Sequence, residues 1–303
     1  MKAGVVHDLA PGVRGILAPN PSPFTYWGTW SYLLGRGEVA LVDPGPDIDA
    51  HLTALLAALD PGERITAILL THSHRDHSGL TAKVRAATGA PVLAYGPSDS
   101  GMSPLMAGLR SGIGGGEGVD LSFAPDVTLA DGEMITAGGH DLRVIHTPGH
   151  MSNHVAFATG DFALTGDHVL GYASTFVSPP HGDLAQFRTS CAKLAALDCP
   201  IFLPGHGPMI SDPAKRIAWL LDHRDRREAA VLAALGGDAL TLDQLARAGY
   251  PDVPEAALPA AKRNLLAHLI DLSARGVVLA EPEPALSAIW KIAEKDSGHW
   301  SQP

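Results

Sequence analysis

The chain has 303 residues, 46% hydrophobic and 18% charged, an ordinary balance for a globular protein with one large core or a large and a small one. Its formal charge of −10 counts against avid, non-specific binding to nucleic-acid backbones, though not against a nuclease whose cleft carries cations. No stretch approaches the roughly 20 uncharged apolar residues of a membrane span, and an N-terminal segment broken by Asp8, Pro11 and Arg14 lacks a secretory pattern, so a cytoplasmic protein is expected.

Between Asn20 and Asp43 the pattern predicts two short strands, SYLLG and EVALVD, around a Gly35-Arg36-Gly37 turn. DPGPD stops the second strand, and IDAHLTALLAALD is an amphipathic helix. The apolar run RITAILL (64–70) has the length of a strand buried on both faces, and it ends directly in THSHRDHSG. A helix over 78–87 and the strand PVLAY follow, which suggests mixed α/β layering. The Gly-, Ser- and Met-rich segment 96–118 is expected to be a mobile insertion near the functional site. Short strands VTLA, MITAG, DLRVIHT, HVAFAT and FALTGD come next, then a helix over 183–197 and the strand-into-loop IFLPGHG. After Pro213 the character changes to a long helix (215–235) ended by Gly236-Gly237, a short one (241–248) capped by Thr241, another over 254–275, and the strand GVVLAE. This order predicts a small helical, winged-helix-like domain over 214–303 behind a larger domain over 1–213. Cys191 and Cys199 flank an apolar helix and read as buried thiols rather than ligands or a bridge.

The chemical signal is concentrated at Thr71-His72-Ser73-His74-Arg75-Asp76-His77. His72 and His74 alternate on an extended segment, so their imidazoles point the same way, and Asp76 and His77 follow on a turn. Two imidazoles with a third nitrogen donor make one metal site, and an Asp–His pair begins a second. No structural role asks for three His and one Asp within six residues at the end of an apolar strand, where they would be buried without partners. More donors are needed, and His150 (HTPGH), Asp167 (LTGDHVLG) and His206 (LPGHGP) each stand at a strand end beside glycines, where side chains can converge.

Taken in order, VDPGP, THSHRDHSG, HTPGH, LTGDHVLG and LPGHGP resemble the five motifs of the metallo-β-lactamase superfamily over about residues 20–212. The resemblance implies an α+β fold, an αββα four-layer sandwich, with two divalent cations at one edge. It implies that His72, His74 and His150 bind the first metal, that Asp76, His77 and His206 bind the second, and that Asp167 bridges both. It also implies that Asp43 orients a ligand or loop from behind. NPSPFTYWGTWSYLLG, GDHVLGYASTFVSPPHGD and the helical extension resemble more narrowly a subfamily that includes a mitochondrial endoribonuclease and bacterial proteins called β-lactamase-like. Gly28-Thr29-Trp30 departs from the GTN usual there, so substrate preference does not carry over.

Two cations about 3.5–4 Å apart lower the pKa of a shared water and make it a nucleophile, with Asp76 and Asp167 as the catalytic carboxylates. The nitrogen and oxygen donors favour Zn2+, with Mn2+ or Fe as alternatives. Tyr26, Trp27, Trp30, His154 and His181 are candidate pocket residues, weighed against simple packing. The residues after Pro213 carry 11 basic and 12 acidic side chains, so a lid, a homodimer contact or substrate shaping is expected there rather than DNA binding. A small acyl substrate (ester, thioester or lactone) is preferred. RNA or another phosphodiester is the alternative, a metal-sensing DNA-binding regulator a third reading, and no membrane partner is expected. A β-lactam is the weakest reading, since such enzymes are exported.

Overall fold

The computed structural model describes residues 1–249 and 253–294. The chain opens on two strands that local pattern does not predict, β1 (Val6–Ala10) and β2 (Val13–Leu17). The expected hairpin of β3 (Trp30–Leu34) and β4 (Glu38–Val42) turns through Gly35 and Gly37, both at positive φ, where a Cβ would be strained. Then come α1 (Asp49–Ala57), β5 (Arg64–Leu69), α2 (Arg75–Ser78), α3 (Thr81–Thr88) and β6 (Val92–Ala94). The segment expected to be a mobile insertion near the site contains a helix, α4 (Pro104–Ile113). Ser103 accepts a hydrogen bond from the Met106 amide as its cap, and Pro104 opens the first turn.

Five short strands follow, β7 (Val127–Thr128), β8 (Met134–Ala137), β9 (His140–His146), β10 (Val155–Ala158) and β11 (Ala163–Gly166). Asp183 caps α5 (Leu184–Ala195), and β12 (Phe202–Pro204) completes the larger part. The remainder is α6 (Pro213–Leu235), β13 (Leu240–Thr241), α7 (Leu242–Gly249), a 3-10 turn at Glu255–Ala257, α8 (Leu258–Ala274), β14 (Val278–Glu281) and β15 (Ile289–Ile292).

Strands β1 to β7 form one sheet in chain order, antiparallel as far as β4 and parallel from β4 to β7. A second sheet runs β12-β11-β10-β9-β8. The two-residue period of the strands sorts side chains into layers. Trp30, Tyr32 and Leu34 of β3 turn inward with Ala40 and Val42, and meet Leu142, Val144, Val155, Phe157 and Leu164 of the second sheet. The alternate residues, Leu33, Val39 and Leu41, turn outward beneath Leu55 of α1 and Val84 of α3. On the far side, Ala156, Ala163 and Phe202 are covered by Phe187, Cys191 and Leu194 of α5 and by Ile217 and Leu220 of α6. This is the expected αββα sandwich, and both cysteines are free and buried.

The C-terminal part has its own core. Leu245, Leu265, Leu269 and Trp290 pack with Val231 and Leu235 of α6 and with Met106 and Ile113 of α4, beside a β13-β15-β14 sheet. Strands β13 and β15 escaped the sequence reading. No helix among the described residues is long and apolar enough to cross a membrane.

Candidate metal centre

The ends of β4, β5, β11 and β12 lie together at one edge of the sandwich and deliver the polar cluster. The chain leaves β5 at Leu69, and His72, His74 and His77 follow within eight residues. His150, Asp167 and His206 arrive on the loops after β9, β11 and β12. Three groups each place their donor atoms within 4.8 Å of one another: His72–His74–His150, His72–His77–Asp167 and Asp76–His77–His206. His150 Nε2 lies 3.0 Å from His74 Nδ1 and 3.8 Å from Asp167 Oδ2. His206 Nε2 lies 3.1 Å from Asp167 Oδ2 and 3.2 Å from Asp76 Oδ2, and His77 Nε2 lies 3.4 Å from Asp167 Oδ1. All seven residues suggested by sequence are therefore in one cluster, with Asp167 between the two triads.

A layer of hydrogen bonds behind the cluster sets the rings. Asp43, at the end of β4 with φ +52°, accepts from the Thr71 amide (2.8 Å), the Thr71 hydroxyl (2.7 Å) and His77 Nδ1 (2.9 Å). The Thr71 hydroxyl is thereby spent as a donor, so His72 Nδ1 donates to it at 3.0 Å and His72 Nε2 is left as an acceptor. His150 Nδ1 donates to the Phe176 carbonyl (2.7 Å), and His206 Nδ1 to the Gly28 carbonyl (3.1 Å). In each case the other ring nitrogen is freed to face the cluster. The Thr29 hydroxyl lies 3.4 Å from Asp76 Oδ2.

Burial works against a charge on each of these groups. It prevails at His72, His74 and His150, aided at His72 and His74 by neighbouring imidazoles, and holds His74 down at about 3. At His77 and His206 the carboxylates of Asp167 and Asp76 outweigh burial and raise both rings, His206 to about 9. Burial alone would raise Asp76 and Asp167, but the His77 and His206 imidazoles hold both carboxyls low. The buried acceptors His72 Nε2 and Asp167 Oδ1 have no hydrogen-bond partner. Buried lone pairs facing one another in two triads, with ionised carboxylates between, fit the requirements of divalent cations.

The model of the metallo-beta-lactamase superfamily matches residues 25–206, more than half of the chain. The chain belongs to this superfamily. A beta-lactamase associated winged helix domain matches residues 241–290. The beta-lactamase-like protein 2 homolog of Drosophila melanogaster is 31% identical over 89% of this chain and 91% of its own length. An atrochrysone carboxyl ACP thioesterase of Aspergillus fumigatus is 32% identical over 76% of this chain and 67% of its own. Among solved structures, a metallo-beta-lactamase family protein of Thermus thermophilus superposes with a TM-score of 0.75 at 28% identity, over 94% of this chain and all of that one.

In this superfamily member the cluster opens into a cavity of about 570 Å³, lined in part by His74, Asp76, His150, Asp167 and His206. Its other walls are mainly apolar: Phe24, Val119, Leu170 and Phe176, with Pro259 and Ala260 of α8. Of the five residues expected in the pocket, His181 lines it and four do not. Trp30 is 3% exposed in the inter-sheet core, because β3 turns it inward, and its Nε1 donates to the Gly207 carbonyl. Trp27 packs against the same core, and Tyr26 stacks on Tyr172, ring centroids 4.6 Å apart. His154 is buried behind the cluster, where its Nε2 accepts from the Asp167 amide at 3.2 Å. Leu170, Phe176 and Ser178 lie in the stretch GDHVLGYASTFVSPPHGD that carried the narrower resemblance, so a signal for them existed. For Pro259, Ala260 and Arg263, one turn of a distant helix, no local pattern pointed to the cavity.

Proposed function

We propose that this chain is a divalent-metal-dependent hydrolase acting on a small acyl substrate, a thioester or ester. The observation that carries the reading is the cavity itself, in which apolar walls meet a cluster of imidazoles and carboxylates. His72, His74 and His150 would hold one cation, Asp76, His77 and His206 a second, with Asp167 shared. Zinc is preferred for nitrogen and oxygen donors at this number, with manganese or iron suited to the same set. Bound there, such cations lower the pKa of a water toward neutrality and stabilise negative charge on a carbonyl oxygen.

The chain's own residues supply the rest. Asp43, Gly28 and Phe176 accept the Nδ1 protons of His77, His206 and His150 and fix which nitrogen faces inward. Phe24, Leu170, Phe176 and Pro259 would bind an acyl chain and exclude water around the reacting carbonyl. The thioesterase name borne by the Aspergillus relative agrees with this choice. A polyanionic substrate is disfavoured. Among the described residues Arg263 is the one Lys or Arg lining the cavity, and its guanidinium already donates to the Ile113, Gly114 and Pro179 carbonyls.

The test is a panel of acyl thioesters, simple esters, lactones and short RNAs, run with zinc and with manganese. Turnover of a thioester or ester, abolished by Asp167→Asn, is the expected result. RNA cleavage abolished by the same change, with acyl substrates untouched, overturns the acyl assignment.

A further inference from the structure

The segment 170–179 follows β11 and has no regular secondary structure, yet it holds one of the candidate metal ligands. The Phe176 carbonyl accepts the His150 Nδ1 proton at 2.7 Å, which leaves His150 Nε2 facing His74 and Asp167. A segment of this kind needs partners for its backbone groups, and side chains of the C-terminal helices α6 and α8 supply several of them. Arg216 of α6 donates to the Leu170 and Ala173 carbonyls. Arg224 of α6 donates to the Thr175 carbonyl. Asn264 of α8 accepts the Val177 amide at 3.1 Å, and the same oxygen, Oδ1, accepts from Arg224 Nη1 at 3.4 Å. Arg263 of α8 reaches the Ser178 hydroxyl and the Pro179 carbonyl. The Thr175 hydroxyl adds one bond to the His168 carbonyl, just ahead of the segment.

We infer that Asn264 is a positioning residue for the metal centre: from the winged-helix part it fixes the 175–177 backbone, and through the Phe176 carbonyl it sets the ring of His150. The inference rests on the proposed role of His150 as a ligand. Its physical basis is that Oδ1 of Asn264 joins two donors, one on the segment and one on the arginine that grips the preceding carbonyl. Removing that oxygen loosens residues 175 and 177, on both sides of Phe176, in a single change. Arg224 is itself buried, and its guanidinium also lies over the Phe187 ring at 5.0 Å, so it is held in place to act as the second clasp.

The experiment compares wild type, Asn264→Leu and Asn264→Asp, each loaded with Co2+ and titrated with a chromophoric chelator while the cobalt absorption spectrum is recorded. Leucine keeps the volume and removes the acceptor; aspartate keeps the acceptor and its geometry. The Phe176 carbonyl is the partner one bond behind the ligand, where a change alters metal affinity by about 10- to 100-fold; Asn264 acts one step further back, so Asn264→Leu is expected to release one metal equivalent at the low end of that range, about 10-fold more readily, with an altered spectrum. Asn264→Asp is expected to behave as wild type. Equal retention and an unchanged spectrum in folded Asn264→Leu overturn the positioning role. If Asn264→Leu does not fold, Asn264→Ala takes its place: readier metal release from it supports the role and wild-type retention overturns it. Wild-type protein that holds no divalent cation at all instead overturns the reading of the site.

Discussion

Asp43 and His77 stand 34 residues apart in sequence, yet the Asp43 carboxylate accepts the His77 Nδ1 proton at 2.9 Å, with both side chains buried. The same carboxylate takes both donors of Thr71, so one side chain joins the end of β4 to the segment that bears His72, His74 and His77. Asp43→Ala leaves three buried donors without an acceptor, at about 1–3 kcal/mol each where nothing replaces it. The expected outcome is a lower melting temperature together with metal affinity reduced 10- to 100-fold, read by thermal unfolding and chelator competition. An Asp43→Ala protein that keeps both properties would show that the rings are set by other contacts.

Gly205 precedes His206 and lies beneath the cluster. A Cβ built there stands 2.6 Å from His77 Cε1 and closer still to Asp167 Oδ1, which separates the two groups. Gly205→Ala is therefore expected to remove metal binding while costing the fold only the 1–3 kcal/mol of local overpacking. Metal content by elemental analysis, set beside a melting curve, checks both halves of this expectation.

The cavity wall built by α8 offers a test of substrate size. Ala260 lines the cavity on α8 and is not among the proposed ligands, so Ala260→Phe adds a ring to the cavity wall and leaves every ligand side chain in place. We expect kcat/KM for a long-chain acyl thioester to fall about 10-fold, roughly 1.4 kcal/mol of transition-state binding, while an acetyl thioester is unaffected. Equal losses for both chain lengths would place the acyl group elsewhere.

His268 on α8 is almost wholly buried, neither ring nitrogen has a hydrogen-bond partner, and burial first, then nearby arginines, push its pKa down to about 3. In the unfolded chain the ring titrates near 6.5. Between those values the unfolded state binds more protons, so stability is complete above pH 6.5 and is lost as pH falls toward 3, at up to about 1.4 kcal/mol per pH unit. His268→Leu is expected to flatten the decline of the unfolding midpoint between pH 7 and pH 5 in urea titrations. A variant with the wild-type slope would assign the decline to other groups.

Much of the centre was legible because its donors are either crowded or punctuated. Four of them fall within the six residues from His72 to His77, and His150, Asp167 and His206 each sit in a glycine-marked turn at a strand end. For the aromatic loop the sequence left pocket lining and packing open, and the strand period decides Trp30. Trp30, Tyr32 and Leu34 alternate with Ser31 and Leu33, and that alternation sends the tryptophan into the inter-sheet core rather than toward solvent. Strands β1 and β2 escaped notice because VHDLA is half-exposed at a sheet edge and VRGIL buries its arginine, so neither shows clean alternation. The clasp at Asn264 lies 114 residues beyond His150, and no local pattern announces a contact of that range.

Helix α4 leaves the larger sandwich between β6 and β7 and plants Met106 and Ile113 among the side chains of the following module. A chimera that imports a relative's C-terminal third alone would therefore pair a foreign socket with a native plug. Engineering that aims to transplant specificity has to carry residues 96–118 and everything from α6 onward as one cassette.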